Sequence, residues 1–346
     1  MIRFECDYAE GAHPAILERL METNMVQTPG YGVDDFSQKA RQSIKTICKN
    51  DSCDIHFVSG GTQANLLVIS SVLKPYQGVI SADTGHINTH ETGAIEATGH
   101  KVLTIKSADG KLQANQIEDF YQAHINDPNH EHVPAPGMVY ISHPTENGTT
   151  YTKDELTALN SVCKKYNLPL FMDGARLGYA LAASDNTLNM EDIAKLCDIF
   201  YIGGTKVGAM FGEAIVITNS ELKKDFRYNI KQRGAMLAKG RMLGIQFDVL
   251  FEDGLYFEIS KKAVELAMLI KAACQEKGFA FRYESTTNQQ FPILPNELIE
   301  SLSKKYAFYP WEEYGETDTA VRFCTSWATS KENVEQLVAD INNFAK

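Results

Sequence analysis

The feature that most constrains the fold of this chain is an alternation of short apolar segments with longer amphipathic ones. Segments rich in β-branched and aromatic residues predict strands at 55–58, 78–81, 102–105, 138–142, 170–172, 199–202 and 214–217. Between them, residues 62–73 and 153–165 have the apolar spacing of helices. This alternation predicts an α/β fold with a mostly parallel sheet, in which ligands bind beyond the carboxyl ends of the strands.

The pattern changes after about residue 244, which predicts a small C-terminal α+β domain. Its predicted elements are a long helix, short strands and a closing helix, at 260–276, 279–283, 320–324 and 332–344. The first residues are predicted to form an arm in which Pro14 opens a helix, with an ordinary frayed terminus as the alternative. The predicted division is therefore an N-terminal arm, a large domain and a small C-terminal domain, at 1–20, 21–244 and 245–346.

Charge and composition exclude several classes of protein. The 346 residues include 33 Lys and Arg against 44 Asp and Glu, a formal net charge of −11, which argues against a general nucleic-acid binder. No segment approaches the roughly 18 consecutive apolar residues of a membrane span, and no leader peptide is recognisable. The seven cysteines form no CxxC pair, which favours reduced thiols, a cytoplasmic location and no zinc site.

A glycine-rich segment, SGGTQ at residues 59–63, joins the strand at 55–58 to the helix that follows it. Free backbone N–H groups and the helix dipole would face an anion there, and a phosphate fits. The segment is neither a Walker A loop nor a GxGxxG motif, because no Gly-Lys-Ser/Thr follows and its glycines are adjacent. A simple glycine-rich turn with Thr62 as the helix N-cap is the alternative.

Two other strand ends carry charged residues. Asp173 follows the strand at 170–172 with Arg176 three positions on, and Lys206 follows the strand at 199–202. An acid in this position can keep a ligand's ring nitrogen protonated, and a lysine in a partly apolar pocket can form a Schiff base. Each residue alone has an ordinary explanation, as a helix cap or a solvated charge. Together with the phosphate-binding turn, they indicate pyridoxal 5′-phosphate as the cofactor.

Four motifs in this order resemble those of low-specificity L-threonine aldolases, in the aromatic amino acid β-eliminating lyase/threonine aldolase group of fold-type I pyridoxal-phosphate enzymes. They are SGGTQAN at 59–65, the block from His86 to Ala94, DGARL at 173–177 and GGTK at 203–206. The resemblance implies an α/β fold of type I, with a mostly parallel seven-stranded sheet flanked by helices and a small C-terminal α+β domain. It also implies an amino-acid substrate and a homodimer or homotetramer with active sites at the dimer interface.

The resemblance also implies roles for individual residues. The implied cofactor-binding residues are Gly61, Thr62 and Gln63 at the phosphate, His86 over the ring, Asp173 at the ring nitrogen, Arg176 at the phenolic oxygen, Lys206 in a Schiff base and Arg233 reaching a neighbouring cofactor's phosphate. The implied substrate-binding residues are Cys6, Tyr31, Arg176 and, at the α-carboxylate, Arg322. Cys6 stands where the family pattern has a serine, and a thiol is the weaker hydrogen-bond donor, so substrate preference follows less directly than cofactor identity.

The implied reaction is cleavage of L-threonine, L-allo-threonine or a related β-hydroxy amino acid to glycine and an aldehyde such as acetaldehyde, with Lys206, His86 and Asp173 as catalytic residues. A base has to take the β-hydroxyl proton. His86 is the first candidate, and His90 or an ordered water is the next. The alternative role of His86 is pure ring stacking on the cofactor. The competing functions are a β-eliminating lyase acting on an aromatic or sulfur amino acid and a non-catalytic protein that keeps the fold.

Three remaining motifs give weaker indications of a metal-binding or catalytic role. The zincin motif HExxH is not completed after His90, because Ala94 occupies the second ligand position. Residues 130–132 (HEH) lie in a proline-rich polar stretch, which is typical of a solvated loop. We therefore expect no metal site. Glu146, in a turn after a strand, is expected to hydrogen-bond His86 or the cofactor, with a plain turn as the alternative.

Overall fold

A seven-stranded sheet forms the centre of the computed structural model, which describes residues 1–344. Counting the smaller sheets as well, the strands of the described residues are β1 (Ile2–Arg3), β2 (Asp54–Val58), β3 (Gln77–Ala82), β4 (Val102–Ile105), β5 (Ala135–Ser142), β6 (Leu170–Asp173), β7 (Ile199–Gly203), β8 (Glu213–Ile217), β9 (Gln289–Gln290), β10 (Ile293–Pro295), β11 (Tyr306–Ala307), β12 (Tyr309–Tyr314) and β13 (Asp318–Cys324). The central sheet has the order β2-β8-β7-β6-β5-β3-β4. Six of its strands run in one direction and β8 runs against them, which confirms the predicted mostly parallel sheet.

Helices cover both faces of this sheet. The α-helices of the described residues, the last two of which pack in the C-terminal part instead, are α1 (Pro14–Thr23), α2 (Asp35–Cys48), α3 (Gly61–Val72), α4 (His86–Thr89), α5 (Ala114–Asn126), α6 (Lys153–Lys165), α7 (Leu177–Ala182), α8 (Met190–Leu196), α9 (Phe226–Gln232), α10 (Arg241–Phe251), α11 (Leu255–Glu276), α12 (Asn296–Ser303) and α13 (Lys331–Asn342). Successive side chains of a strand point to opposite faces, so Ala214 and Val216 join one hydrophobic core and Ile215 and Ile217 join the other. Helices α3 and α9 pack on the second core, and α2, α6, α8 and α10 pack on the first.

The C-terminal part has a core of its own. It consists of β10, β12 and β13 in an antiparallel sheet, with α12, α13 and the second half of α11. The change of core falls inside α11, between Val264 and Leu266, and α10 continues across residue 244. The division into 1–20, 21–244 and 245–346 stays a prediction, and residues 345–346 lie outside the described part of the chain.

Two local predictions, a strand at 279–283 and a helix that begins at Pro14, have different outcomes. The strand predicted at 279–283 is wrong, because Phe281 makes only an isolated bridge to Pro292. The predicted helix start at Pro14 is confirmed, with His13 as its N-cap. The residues before Pro14 are held against the C-terminal part, since β1 pairs with β11 and Phe4 is buried in the C-terminal core.

Among the described residues, no helix has the length and apolar character needed to cross a membrane.

Candidate active site

The sheet edge at the ends of the parallel strands borders a cavity of about 670 Å³. Its walls come from the segments that follow β2, β3, β5, β6 and β7, from the start of β8, from the N-terminal arm and from β12 and β13. Because β8 is antiparallel, its first residue, Glu213, lies opposite Gly203, the last residue of β7. The direction of β8 therefore adds a buried carboxylate to a site that is otherwise built from strand ends.

Lys206 contributes its side chain to the cavity wall, and its amine lies 6.0 Å from the centre of the Tyr8 ring. Burial and the positive charge of Arg176 lower the pKa of Lys206, although Asp7, Asp173 and Glu213 oppose the shift. The backbone at this position is fixed, because the Tyr179 hydroxyl donates to the Lys206 carbonyl at 2.5 Å. A lysine amine with a lowered pKa is available as a nucleophile, as the sequence predicts.

Asp173 accepts four hydrogen bonds at the end of β6. Its donors are the Tyr140 hydroxyl at 2.6 Å, the Tyr201 hydroxyl at 2.5 Å, the Asn65 amide at 3.1 Å and the Ala175 backbone N–H at 3.0 Å. Burial by itself would raise the pKa of Asp173, but the charge of His86 and the two tyrosine hydrogen bonds lower it below its usual value. The residue is therefore held as a charged carboxylate inside the cavity wall.

His86 is joined to Asp173 through two buried side chains. His86 Nδ1 lies 2.8 Å from Glu91 Oε1, and the Asn65 amide donates both to that oxygen, at 2.7 Å, and to Asp173. Burial would lower the pKa of His86, but the hydrogen bond to Glu91 and the charge of Asp173 raise it overall. His90 lines the same cavity, with its ring centre 5.6 Å from that of His86. Burial and the charge of His86 lower the pKa of His90.

Glu146 lies beside His86 in the cavity wall, as the sequence predicts. One of its carboxylate oxygens accepts the His86 backbone N–H at 3.0 Å and the Ser142 hydroxyl at 2.6 Å. The contact thus fixes the start of α4 and involves the backbone of His86, whereas its ring is bound by Glu91. The second oxygen of Glu146 is buried and has no hydrogen-bond partner in the described part of the chain.

One end of the cavity is the N-terminus of α3, where Gly60, Gly61 and Thr62 form the wall. Gly60 is the N-cap and offers no side-chain cap, so the first N–H groups of the helix are left for an anion. A Cβ atom at Gly60 would meet nothing within 4 Å, so there is open space in front of this turn. The Gln63 side chain faces away, since its amide oxygen accepts the N–H and hydroxyl of Ser59. Gln63 therefore offers its backbone to an anion.

Arg176 forms a bidentate ion pair with Asp7, a residue that the sequence predictions did not single out. Arg176 Nε and Nη2 donate to the two carboxylate oxygens of Asp7 at 2.6 and 3.0 Å. The Asn288 amide donates to Asp7 as well, at 2.9 Å. Burial would raise the pKa of Asp7, but the charges of Arg176 and Lys206 hold it at about 2. Asp7 thus connects the arm, the segment after β6 and the C-terminal part.

We expect Asp7→Asn to lower the free energy of unfolding by about 3 kcal/mol, because breaking a buried ion pair leaves the partner's charge uncompensated. Since the pKa of Asp7 is lowered in the folded state, its contribution is complete above the unfolded-state value and is lost as the pH falls through about 2. Urea unfolding at several pH values measures this. The matched control is Glu335→Gln, which removes an exposed ion pair with Lys331 and should cost less than about 1 kcal/mol. An equal loss in both variants would contradict the assigned role of Asp7.

Arg322 enters the cavity from β13 and lies against two neighbouring aromatic side chains of β12. Its guanidinium carbon lies 5.4 Å from the Tyr309 ring centre and 5.6 Å from that of Trp311. Nη2 donates to the Glu5 carbonyl at 2.8 Å, whereas Nη1 has only a long contact of 3.3 Å to Gln289. Its Nε is buried and has no hydrogen-bond partner among residues 1–344. A half-buried guanidinium with an unpaired Nε–H is suited to binding a carboxylate.

The structure brings most predicted site residues together and leaves two apart. Cys6 lines the cavity, as do the predicted residues described above, apart from the Gln63 side chain. Tyr31 lines a separate cavity of about 30 Å³, and Arg233 is exposed at the end of α9. The residues that the sequence predictions missed are those whose position depends on strand pairing or on long-range contact, namely Asp7, Asn65, Tyr140, Tyr201, Glu213, Tyr309 and Trp311.

Comparisons with known proteins find relatives that match nearly the whole chain. The family model described as beta-eliminating lyase matches residues 5–296. The low specificity L-threonine aldolase of Pseudomonas sp. is 32% identical over 343 residues, which cover 98% of this chain and 96% of that protein. The enzyme of the same name from Pseudomonas aeruginosa is 31% identical over the same shares. A solved structure of Leishmania major threonine aldolase has a TM-score of 0.96 and 45% identity, covering 99% of this chain and 98% of its own.

Proposed function

This chain belongs to the beta-eliminating lyase family, and on that premise we propose that it is a pyridoxal 5′-phosphate-dependent threonine aldolase. It cleaves L-threonine, L-allo-threonine and related β-hydroxy amino acids to glycine and an aldehyde. The relatives named as threonine aldolases match nearly the whole chain, and the fold is that of fold-type I enzymes. The observation that carries the proposal is that one cavity contains Lys206, Asp173, Arg322 and the N-terminus of α3.

The residues of the cavity suit this cofactor. The free N–H groups of Gly61 and Thr62 would hold the phosphate, and the space in front of Gly60 would admit it. Lys206 would hold the cofactor covalently, and Asp173 would pair with the ring nitrogen. When bound, pyridoxal 5′-phosphate supplies an electron sink for the electron pair released from the Cα–Cβ bond.

The remaining residues of the cavity bind and orient the substrate. Arg322 would bind the α-carboxylate with its free Nε, and its planar fork fixes the orientation of the amino acid better than a lysine would. Asp7 holds two nitrogens of Arg176, which leaves Nη1 of Arg176 for the cofactor or the substrate. Cys6 and Tyr8 approach from the arm and limit the space near Lys206.

The proton of the β-hydroxyl passes to a base in the cavity, and His86 is the proposed acceptor. Glu91 holds Nδ1, which leaves Nε2 for the substrate side. His86 has to be neutral to accept a proton, so activity rises as the pH passes its pKa. His90, whose pKa is lowered, is neutral over a wider pH range and is the second candidate.

We expect Glu91→Gln to move the acidic limb of kcat/KM to lower pH by about one unit, because the variant removes a charged hydrogen-bond partner of His86. The sign follows from the raised pKa of His86: without Glu91 the imidazolium is less stable, and the neutral base is present at lower pH. The measurement is the pH profile of glycine formation from L-threonine. An unmoved limb would assign His86 to ring stacking alone.

We further propose a cytoplasmic homodimer or homotetramer in which a neighbouring subunit completes each site. Tyr31 and Arg233 lie outside the cavity of their own chain, which supports a role for them across an interface. The seven free cysteines are compatible with a reducing compartment. A mixed dimer of Arg233→Ala and Lys206→Ala subunits would regain activity in one of its two sites if Arg233 acts on the neighbouring site.

Product analysis separates the proposed aldolase from a β-eliminating lyase. Incubation with L-threonine or L-allo-threonine should release glycine and acetaldehyde in equal amounts, measured by NMR. The lyase alternative would release ammonia and a keto acid from tyrosine, tryptophan or cysteine, with no glycine. Release of ammonia without glycine would therefore contradict the aldolase assignment and leave the family assignment unchanged.

A further inference from the structure

Glu213 is a buried carboxylate at the cavity that the proposed reaction has not used. It is the first residue of β8, where it pairs with Gly203 of β7 and Val58 of β2. Only 3% of its surface is exposed, and it lines the cavity together with Lys206. A glutamate at the start of a parallel strand would lie at the opposite edge of the sheet, so the reversed direction of β8 is what brings Glu213 here.

Both carboxylate oxygens of Glu213 bind the loop that carries Lys206. One oxygen accepts the Gly204 backbone N–H at 3.1 Å, and the other accepts the Thr205 hydroxyl at 2.8 Å. These are the two residues immediately before Lys206. The same hydroxyl accepts the Gly212 N–H at 2.9 Å, which ties the loop to the start of β8. Glu213 thus fixes the backbone from which the lysine side chain extends.

The charge of Glu213 has no close partner among residues 1–344. Its two hydrogen-bond donors are neutral, and a buried carboxylate without a counter-charge is costly. The cation that faces it is Lys206, and the other titratable groups that face it are Asp173 and the hydroxyls of Tyr201 and Tyr256. Burial raises the pKa of Glu213 to about 8, although the Thr205 hydrogen bond and the charge of Lys206 oppose that shift, so the carboxylate is fully ionised only at alkaline pH.

We propose that Glu213 is a positioning residue for Lys206: it anchors the loop that carries the lysine, and in its ionised form its negative charge stabilises the protonated form of the Lys206 nitrogen. The inference rests on the proposed function, since the proton on this nitrogen matters for catalysis when Lys206 holds the cofactor. Glu213 touches the loop and acts on the reaction through Lys206.

The test is a spectroscopic pH titration of the cofactor-loaded protein. In Glu213→Gln, the midpoint of the visible absorbance change should move to lower pH by about one unit, because the neighbouring negative charge is lost. Glu213→Asp keeps the carboxylate but moves it away from Lys206 by one methylene. Its midpoint should therefore lie between those of the wild type and Glu213→Gln. Thr205→Val removes one of the two donors to Glu213 and leaves the glutamate in place, so its midpoint should move less than that of Glu213→Gln.

A second readout uses the cofactor-free protein. The neutral amine is the nucleophile, so the rate of pyridoxal 5′-phosphate uptake should reach its plateau at lower pH in Glu213→Gln than in the wild type. An unmoved midpoint and plateau would overturn the inference and leave the proposed function intact. A wild-type protein that takes up no cofactor would overturn both. If Glu213→Gln does not fold, the titration of Glu213→Asp is the test. A Glu213→Asp midpoint equal to that of the wild type would then overturn the inference.

Discussion

We expect Lys206→Ala to purify without visible absorbance after incubation with pyridoxal 5′-phosphate and to form glycine from L-threonine at least about 10³-fold more slowly than the wild type. The reason is that Lys206 lines the same cavity as Asp173 and is the proposed covalent attachment point, which this variant removes. Absorbance spectra and an assay of glycine measure the two effects.

The matched control for this variant is Lys261→Ala, because Lys261 is largely exposed on α11 and is paired only with Glu265. It should keep the wild-type absorbance and rate. A Lys206→Ala protein that stays yellow and active would mean that another amine holds the cofactor, and the assigned site would then be wrong.

The second large effect is expected for Asp173→Asn, with a fall in kcat of about 10²–10³-fold. An asparagine has no negative charge to keep a ring nitrogen protonated. Its NH2 group also cannot accept from the donors that converge on this position, among them Tyr140 and Tyr201. The unsatisfied donors should lower the free energy of unfolding by about 1–3 kcal/mol.

The control for Asp173→Asn is Asp198→Asn. Asp198 also accepts a backbone hydrogen bond, from Leu170 at 2.8 Å, but it does not line the cavity. Its variant should change stability without lowering kcat. A kcat of Asp173→Asn within tenfold of the wild-type value would show that the carboxylate is not the partner of the ring nitrogen. Steady-state kinetics and urea unfolding of both variants provide the comparison.

The elements that the sequence predicted well are those whose pattern is local. The spacing of apolar residues places α6 at Lys153–Lys165 and β4 at Val102–Ile105, as the structure has them. The two-residue strands β1 and β11 carry no such signal, because they exist only through pairing between distant segments. The aromatic run near Phe281 has strand-like composition, yet it packs as an irregular segment with one bridge.

The candidate site shows the same limit. Lys206, Asp173 and the α3 turn were predictable because each directly follows an apolar strand, and the carboxyl ends of such strands meet at one sheet edge. Glu213 was not predictable, because the direction of β8 is not encoded in its apolar pattern. The pairing of Asp7 with Arg176 joins positions 169 apart in the chain, and only the folded arm brings them together.

The most direct test of the account is to locate the covalently bound cofactor. The purified protein, incubated with pyridoxal 5′-phosphate, is reduced with borohydride, digested and analysed by mass spectrometry. The account predicts a single modified peptide that contains Lys206, with the exposed Lys261 unmodified. A modification at another lysine, or none after the protein has been saturated with the cofactor, would contradict the assignment of this cavity as the active site.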